Sequence, residues 1–346
     1  MRIGWLCEGL YTRNGVCADG GVNHRLPIMA ELIKQGHEIV FYSNKYRKYY
    51  TDETFKPRED EQIVRDNIIL NTDQYLHLSS YVNDFYKEIR DGYFDYNTTE
   101  YNFTKIDALV VEPNGMFLGL LTMQTLTNMM KVPTCYIDID NLYAAFRKGI
   151  NPDLPITYMM HYPKKGTEQW FFPYNEEDEL PIVDPQSKEY GLMYIGNDYK
   201  RKDKMIKYYN ISNANILIYG KYKQEMQDEF NCTVKFGGKL PFEFVMSEYA
   251  KAKACVNIIR KDYEKLGNFT YRTVELAQGG VYQFVDKDII GWDRFFDCKD
   301  VVSSAQEVID KLPTITIDDV IRQRNKIKKF VPSVLEYTER VLKCFN

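Results

Sequence analysis

ACVNIIRKDYEKLGNFTYRTVELAQGGVYQFVD, residues 254–286, decides the fold. An apolar run of strand length, Ala254 to Ile259, leads through a loop into a helix-length segment over 271–278. After Gly279 and Gly280 a second apolar run extends from Val281 to Asp286. Runs that are apolar throughout belong in a sheet covered on both faces, and strand–helix–strand succession is the unit of a parallel sheet.

The same rhythm extends upstream. Strands are predicted at Leu192 to Gly196, Ile216 to Gly220 and Val234 to Gly237, with helical segments over 201–209 and 242–252. A first series opens the chain: a strand at Ile3 to Cys7, a glycine-bearing loop to Gly20-Gly21, and a helix with Leu26, Met29, Leu32 and Ile33 on one face and Gly36 as its stop. Strands at Glu38 to Tyr42, Ala108 to Val111 and Val132 to Asp140 follow, the last two flanking the helix-like LGLLTMQTLTNMMK. Between 150 and 188, six prolines fall among aromatics and the acidic run EEDE, which reads as linker. The charged, amphipathic stretch from 317 to 343 reads as a closing helix.

With 346 residues, two domains are the natural division. The net charge of −4 argues against a dedicated nucleic-acid coat and leaves room for an enzyme with one local basic face. The seven cysteines include no CxxC pair, and the four histidines have no metal-ligand spacing with them, so buried free thiols are expected and no metal site. The opening MRIGWLCEGLYTRNG lacks the apolar core of a secretory signal and no membrane-length apolar run occurs, so a cytoplasmic location is expected. Abundant tyrosine, lysine and asparagine suit an AT-rich genome such as a phage, which would make that the host cytoplasm.

Three constellations carry candidate chemistry. Gly20-Gly21 before the first helix offers a tight turn at a helix N-terminus, although no GxGxxG or GxxxxGK[ST] is present. In FGGKLP (236–241) and NFTYRTVE (268–275), Gly238 and Lys239 end a strand, and Arg272 and Glu275 share a helix face; the pair reads either as ligand contacts or as a surface ion pair. In GLMYIGNDYKRKDKM (191–205), a strand ends at Gly196 and a basic run opens a helix. Cations there oppose the helix dipole unless an anion is held, and a solvated charged face is the alternative.

GGV, a helix and LIKQGHEIVFYS, together with the order of elements from 190 to 290, resemble GT-B glycosyltransferases. Within them the resemblance is to the T-even phage DNA β-glucosyltransferases, which transfer glucose from UDP-glucose to 5-hydroxymethylcytosine. It implies an α/β fold of GT-B type: two Rossmann-like doubly wound domains facing each other across a cleft, with a C-terminal helix packing back toward the N-terminal domain. Residues 1–185 would bind the acceptor together with a C-terminal helix at about 317–346, and residues 186–316 would bind the nucleotide sugar. The resemblance implies Arg201 and Arg272 on the donor diphosphate and Glu275 on the ribose. Gly20, Gly21, Gly196, Asn197, Gly220, Gly238 and Lys239 would line the donor site. CYIDID puts the general base at Asp140, with Asp138 in reserve, and a strand-end carboxylate suits removal of an acceptor proton.

The same two residues spell DxD, so a divalent Mg or Mn ion is compatible with the sequence without being required by it. Met116 or Phe117 would serve as a wedge beside an extruded base or as ordinary helix core, and Lys45, Arg47 and Lys48 as a phosphate-tracking face or simple surface. Retaining GT-B enzymes often carry a Glu where this chain has Asn268, which favours inversion. The partners implied are a UDP-sugar, glucose or a pentose such as arabinose, and duplex DNA with a hydroxymethylated pyrimidine; a monomer is expected. A GT-B enzyme with a non-DNA acceptor (polysaccharide, lipid or small metabolite) and an inert nucleotide-sugar-binding module are the alternative readings.

Overall fold

A computed structural model describes residues 1–7, 22–42, 59–84, 103–113, 117–139, 142–161, 165–197, 200–231, 233–240 and 244–346. They form two compact units, Met1–Phe171 with Val334–Asn346, and Phe172–Ser333. The first division therefore falls at 171/172 where the sequence reading drew it at 185/186. The second half of the proline-rich stretch is hydrogen-bonded into the second unit, with Leu180 N–H donating to Gln278 O at 2.9 Å and Gln278 Nε2 to Asn175 O at 2.8 Å.

In the first unit seven strands, β1 (Arg2–Cys7), β2 (Glu38–Tyr42), β3 (Ile69–Leu70), β4 (Ala108–Glu112), β5 (Thr134–Asp138), β6 (Ile156–Met160) and β7 (Glu168–Gln169), pair in parallel in the order β3-β2-β1-β4-β5-β6-β7. β1, β2, β4 and β5 are buried almost throughout, as continuous apolar runs require. The helices are α1 (Val22–Lys34), α2 (Glu59–Asn67), α3 (Thr72–Asp84), α4 (Phe117–Met130) and α5 (Tyr143–Lys148). α4 carries apolar residues all round and is buried over Leu120 to Thr127. Its Thr125 and Thr127 hydroxyls, which would otherwise be buried without partners, bond back to Leu121 O and Met123 O. β6 and β7 correct the linker reading of 150–188, and β5 ends at Asp138, two residues short of its expected end.

The second unit repeats the plan. Strands β8 (Tyr190–Ile195), β9 (Ile216–Tyr219), β10 (Val234–Gly238), β11 (Ala252–Asn257), β12 (Tyr282–Asp286) and β13 (Val301–Val302) pair in parallel in the order β10-β9-β8-β11-β12-β13. Its main helices are α6 (Lys202–Tyr209), α7 (Arg272–Gln278), α8 (Ala305–Lys311) and α9 (Ile317–Phe330). α6 buries Met205, Tyr208 and Tyr209, one helical face by spacing. The Tyr209 hydroxyl takes a hydrogen bond from Val256 N at 2.8 Å and gives one to Val256 O at 3.0 Å, fixing α6 against β11.

α9 begins with a capping box between Thr316 and Asp319, and Gln323 exchanges two bonds of 2.8 Å with the Gln283 backbone. The single closing helix expected over 317–343 is two helices. Pro332 cannot continue the first, so α9 stays with the second unit while α10 (Val334–Lys343) packs on α1 of the first, burying Tyr337 and Val341. Among the described residues no helix is long and apolar enough to cross a membrane.

Candidate functional site

In each unit the first strand lies at the centre and the order reverses beside it, between β1 and β4 and between β8 and β11. Parallel sheets of this kind receive ligands at the carboxyl ends of the strands at such a reversal. In the second unit that edge is held together through backbone. Gly220 N–H donates to Gly238 O at 2.7 Å and Gly196 N–H to Tyr219 O at 2.9 Å, while Asn197 Oδ1 accepts from Lys221 N at 2.8 Å. Gly196 and Gly220 have φ of +150° and +149°. A Cβ at Gly220 would lie 2.2 Å from Gly196 O, a backbone atom that cannot give way, and one at Gly196 would lie 2.4 Å from Arg272 Nη2, so that a side chain there would displace the guanidinium.

Arg272, the first residue of α7, reaches across to the end of β8. Its Nη2 and Nε donate to Ile195 O at 2.9 and 3.2 Å, and its guanidinium carbon lies 4.4 Å from the centre of the Tyr194 ring. Nη1 is buried and has no hydrogen-bond partner among the described residues, and the same is true of the Thr270 hydroxyl two residues earlier. Burial opposes the charge, but the net shift still raises its pKa, so the cation persists. A buried cationic donor without an acceptor is costly and is what an anionic oxygen would satisfy. Arg201 joins the same ring from the other sequence segment: its Nη1 donates to the Tyr194 hydroxyl. It stands at the N-cap of α6, which has no side-chain cap. Glu275 sits one turn into α7, part-buried.

The structure thus brings Gly196, Asn197, Arg201, Gly220, Gly238 and Arg272 to one sheet edge. Lys239 follows Gly238 and is exposed. The basic run divides. Lys202 pairs with Glu229, and Lys204 lies 2.9, 2.6 and 3.1 Å from Glu264, Asp286 and Asp288, so both have structural carboxylate partners. Lys200 is exposed and adopts a left-handed φ of +63°, rare for a residue with a side chain. Sequence reasoning missed Tyr194, the ring that both arginines share; its only signal was an aromatic residue two positions before Gly196.

In the first unit, Asp138 ends β5 and is buried. Its carboxylate accepts from Leu142 N at 2.7 Å, Tyr143 N at 3.4 Å and the Tyr136 hydroxyl at 3.3 Å, tying residue 138 to the start of α5. Asp140, Gly20, Gly21, Lys45, Arg47, Lys48 and Met116 lie outside the described residues; Phe117 opens α4. Among the described residues no group of three or more His, Cys, Asp or Glu is placed to hold a metal. Sequence reasoning also missed Glu112, buried at the end of β4, where it pairs with Arg25 and approaches His24 at 3.5 Å. The signal was a carboxylate inside an apolar strand.

No protein-family model and no curated protein matches the sequence. Solved structures do match over the full length. A T4 phage β-glucosyltransferase in complex with UDP and Mn2+ aligns with TM-score 0.62 at 16% identity, covering 100% of both chains. An α-glucosyltransferase in complex with UDP and a 13-mer DNA aligns with TM-score 0.58 at 10% identity, again over 100% of both. A glycosyltransferase involved in avilamycin A biosynthesis aligns with TM-score 0.55 at 12% identity, over 99% of this chain and 96% of that one. At such identities the likeness is one of fold, and the fold of this chain is that of the GT-B glycosyltransferases, matched from end to end by two glucosyltransferases.

Proposed function

We propose that the chain transfers a sugar from a UDP-sugar to the hydroxymethyl group of a modified pyrimidine in duplex DNA, with inversion. The observation that carries the reading is the part-buried Arg272 guanidinium at the sheet-order reversal, with its buried Nη1 unpartnered among the described residues and Arg201 gathered on the same Tyr194 ring. As the bond between the anomeric carbon and the diphosphate oxygen breaks, negative charge grows on that oxygen. Cationic donors fixed there stabilise the transition state more than the ground state. Glu275 accepts from the ribose hydroxyls. Asp140 takes the proton of the acceptor hydroxyl as its oxygen attacks the anomeric carbon, and Asp138 holds the chain on either side of that base through Leu142 and Tyr143.

The phage glucosyltransferase likeness favours DNA as acceptor. The net charge of −4 and the likeness to the avilamycin enzyme favour a small-molecule acceptor as the second reading. Calorimetric titration with UDP, on wild type and on the Arg272→Ala and Asp140→Ala variants, tests the assignments. UDP binding that is lost in the first variant and kept in the second, with transfer lost in both, is expected. Undiminished UDP affinity in Arg272→Ala would rule the donor site out.

A further inference from the structure

A second basic surface lies in the same unit and is not used by the donor assignment. Lys200, Arg260, Lys261, Asp262 and Lys265 line a groove of about 600 Å³ beside the carboxyl ends of β8 and β11. Among its described lining residues, four cations and one carboxylate give a local surplus of positive charge in a chain whose net charge is −4. The carboxylate is already engaged, since Arg260 Nε donates to Asp262 Oδ1 at 3.1 Å and the guanidinium lies 4.4 Å from the Tyr263 ring centre. Lys200, Lys261 and Lys265 are exposed, and none has a carboxylate within ion-pair distance among the described residues. This contrasts with Lys202 and Lys204 nearby, which are both paired.

Like charges collected in a concave surface repel one another and focus a positive potential outward, which an anionic partner relieves. The part-buried arginines on Tyr194 suit a small, enclosed diphosphate. Exposed lysines on long flexible stems suit phosphates that belong to a polymer and stay partly solvated. We infer that this groove holds the phosphodiester backbone of the acceptor DNA, giving the nucleotide-sugar unit its own nucleic-acid contact apart from the donor diphosphate site. The inference rests on the DNA-acceptor reading above and adds the surface that reading lacks among the described residues.

The test uses the full-length protein, a labelled unmodified duplex and UDP, comparing wild type with Lys261→Ala/Lys265→Ala and with the same variant plus Arg260→Gln. Both lysines are exposed, so the double variant keeps the question answerable if the triple one fails to fold. Every phosphate that is no longer neutralised should reduce the slope of log affinity against log salt by about 0.9, hence by roughly 1.8 in the double variant. UDP affinity should be unchanged. A slope and affinity equal to wild type would overturn the inference while leaving the DNA reading intact. A fall in UDP affinity of the same size as the fall in DNA affinity would reassign the groove to the donor. A wild-type protein that binds no duplex even at low salt would overturn both the inference and the DNA-acceptor reading.

Discussion

Gly196→Ala acts on the donor site without touching a charge. The new methyl group would lie 2.4 Å from Arg272 Nη2, in a backbone of φ +150° that residues with side chains rarely adopt. The conformational strain costs ~1–3 kcal/mol of stability. The clash forces the guanidinium off Ile195 O, to which it now donates at 2.9 and 3.2 Å. A charged hydrogen bond contributes ~1.5–3 kcal/mol. If Arg272 grips a donor phosphate in the position it now holds, losing that grip should weaken UDP binding by ~10–150-fold. Gly36→Ala is the control: its φ is +83° and nothing lies within 4 Å of the added Cβ, so it carries strain without a clash. Calorimetry with UDP and urea unfolding on both variants separate the effects. Gly36→Ala should lose stability only, whereas Gly196→Ala should lose stability and UDP affinity together. A Gly196→Ala protein that binds UDP as wild type does would refute the placement of the donor phosphates beside Arg272.

Three further outcomes follow from particular side chains. Removing Arg25 by Arg25→Met should cost ~3–5 kcal/mol in urea unfolding, because Glu112 would be left as an uncompensated buried charge; Arg25→Met/Glu112→Leu should recover part of it. Burial would raise the Glu112 pKa, but Arg25 and His24 beside it hold it below its ordinary 4.5. Its share of stability should therefore be complete above that value and fade as pH falls through the lower folded-state one, and Glu112→Gln should flatten the acid limb of the stability profile. Arg324→Met should destabilise the second unit by ~1–3 kcal/mol, chiefly through Leu180 O, to which it donates at 2.9 Å, because Ala277 O and Gln278 O, which it also reaches at 2.7 and 3.0 Å, keep Gly280 N–H and Leu180 N–H as donors. A destabilisation below about 1 kcal/mol by urea unfolding, on the scale of surface substitutions, would contradict that anchoring role.

The strands of both sheets were legible where burial on two faces writes a predominantly apolar run, as in Ala108 to Val111 of β4 or Ala254 to Val256 of β11. β6 and β7 were not, because ITYMM and EQ belong to the edge of the sheet, the first only partly buried and the second exposed, and stand among prolines that signal irregular chain. The break between α9 and α10 turns on Pro332, which the amphipathic pattern on either side conceals. At the site, the glycines and arginines at the ends of β8, β9, β10 and the start of α7 could be picked out, since strand-end glycine and helix-start arginine are local signals. What Arg272 binds could not: Ile195 O and the Tyr194 ring are 77 and 78 positions away, and a carbonyl carries no residue-type signal. The same holds for Lys204, read as part of a basic run that either holds an anion or is a solvated face, and held instead by Glu264, Asp286 and Asp288, which are distant in sequence.

Sugar transfer itself tests the central claim most directly. The protein would be incubated with a panel of UDP-sugars and duplex DNA with or without 5-hydroxymethylcytosine, following UDP release and the intact mass of each strand. The expected result is a gain of one hexose or pentose residue per modified base with one donor, stoichiometric release of UDP, and no gain on unmodified DNA. UDP release without any gain in DNA mass, or none with any donor, would contradict the account.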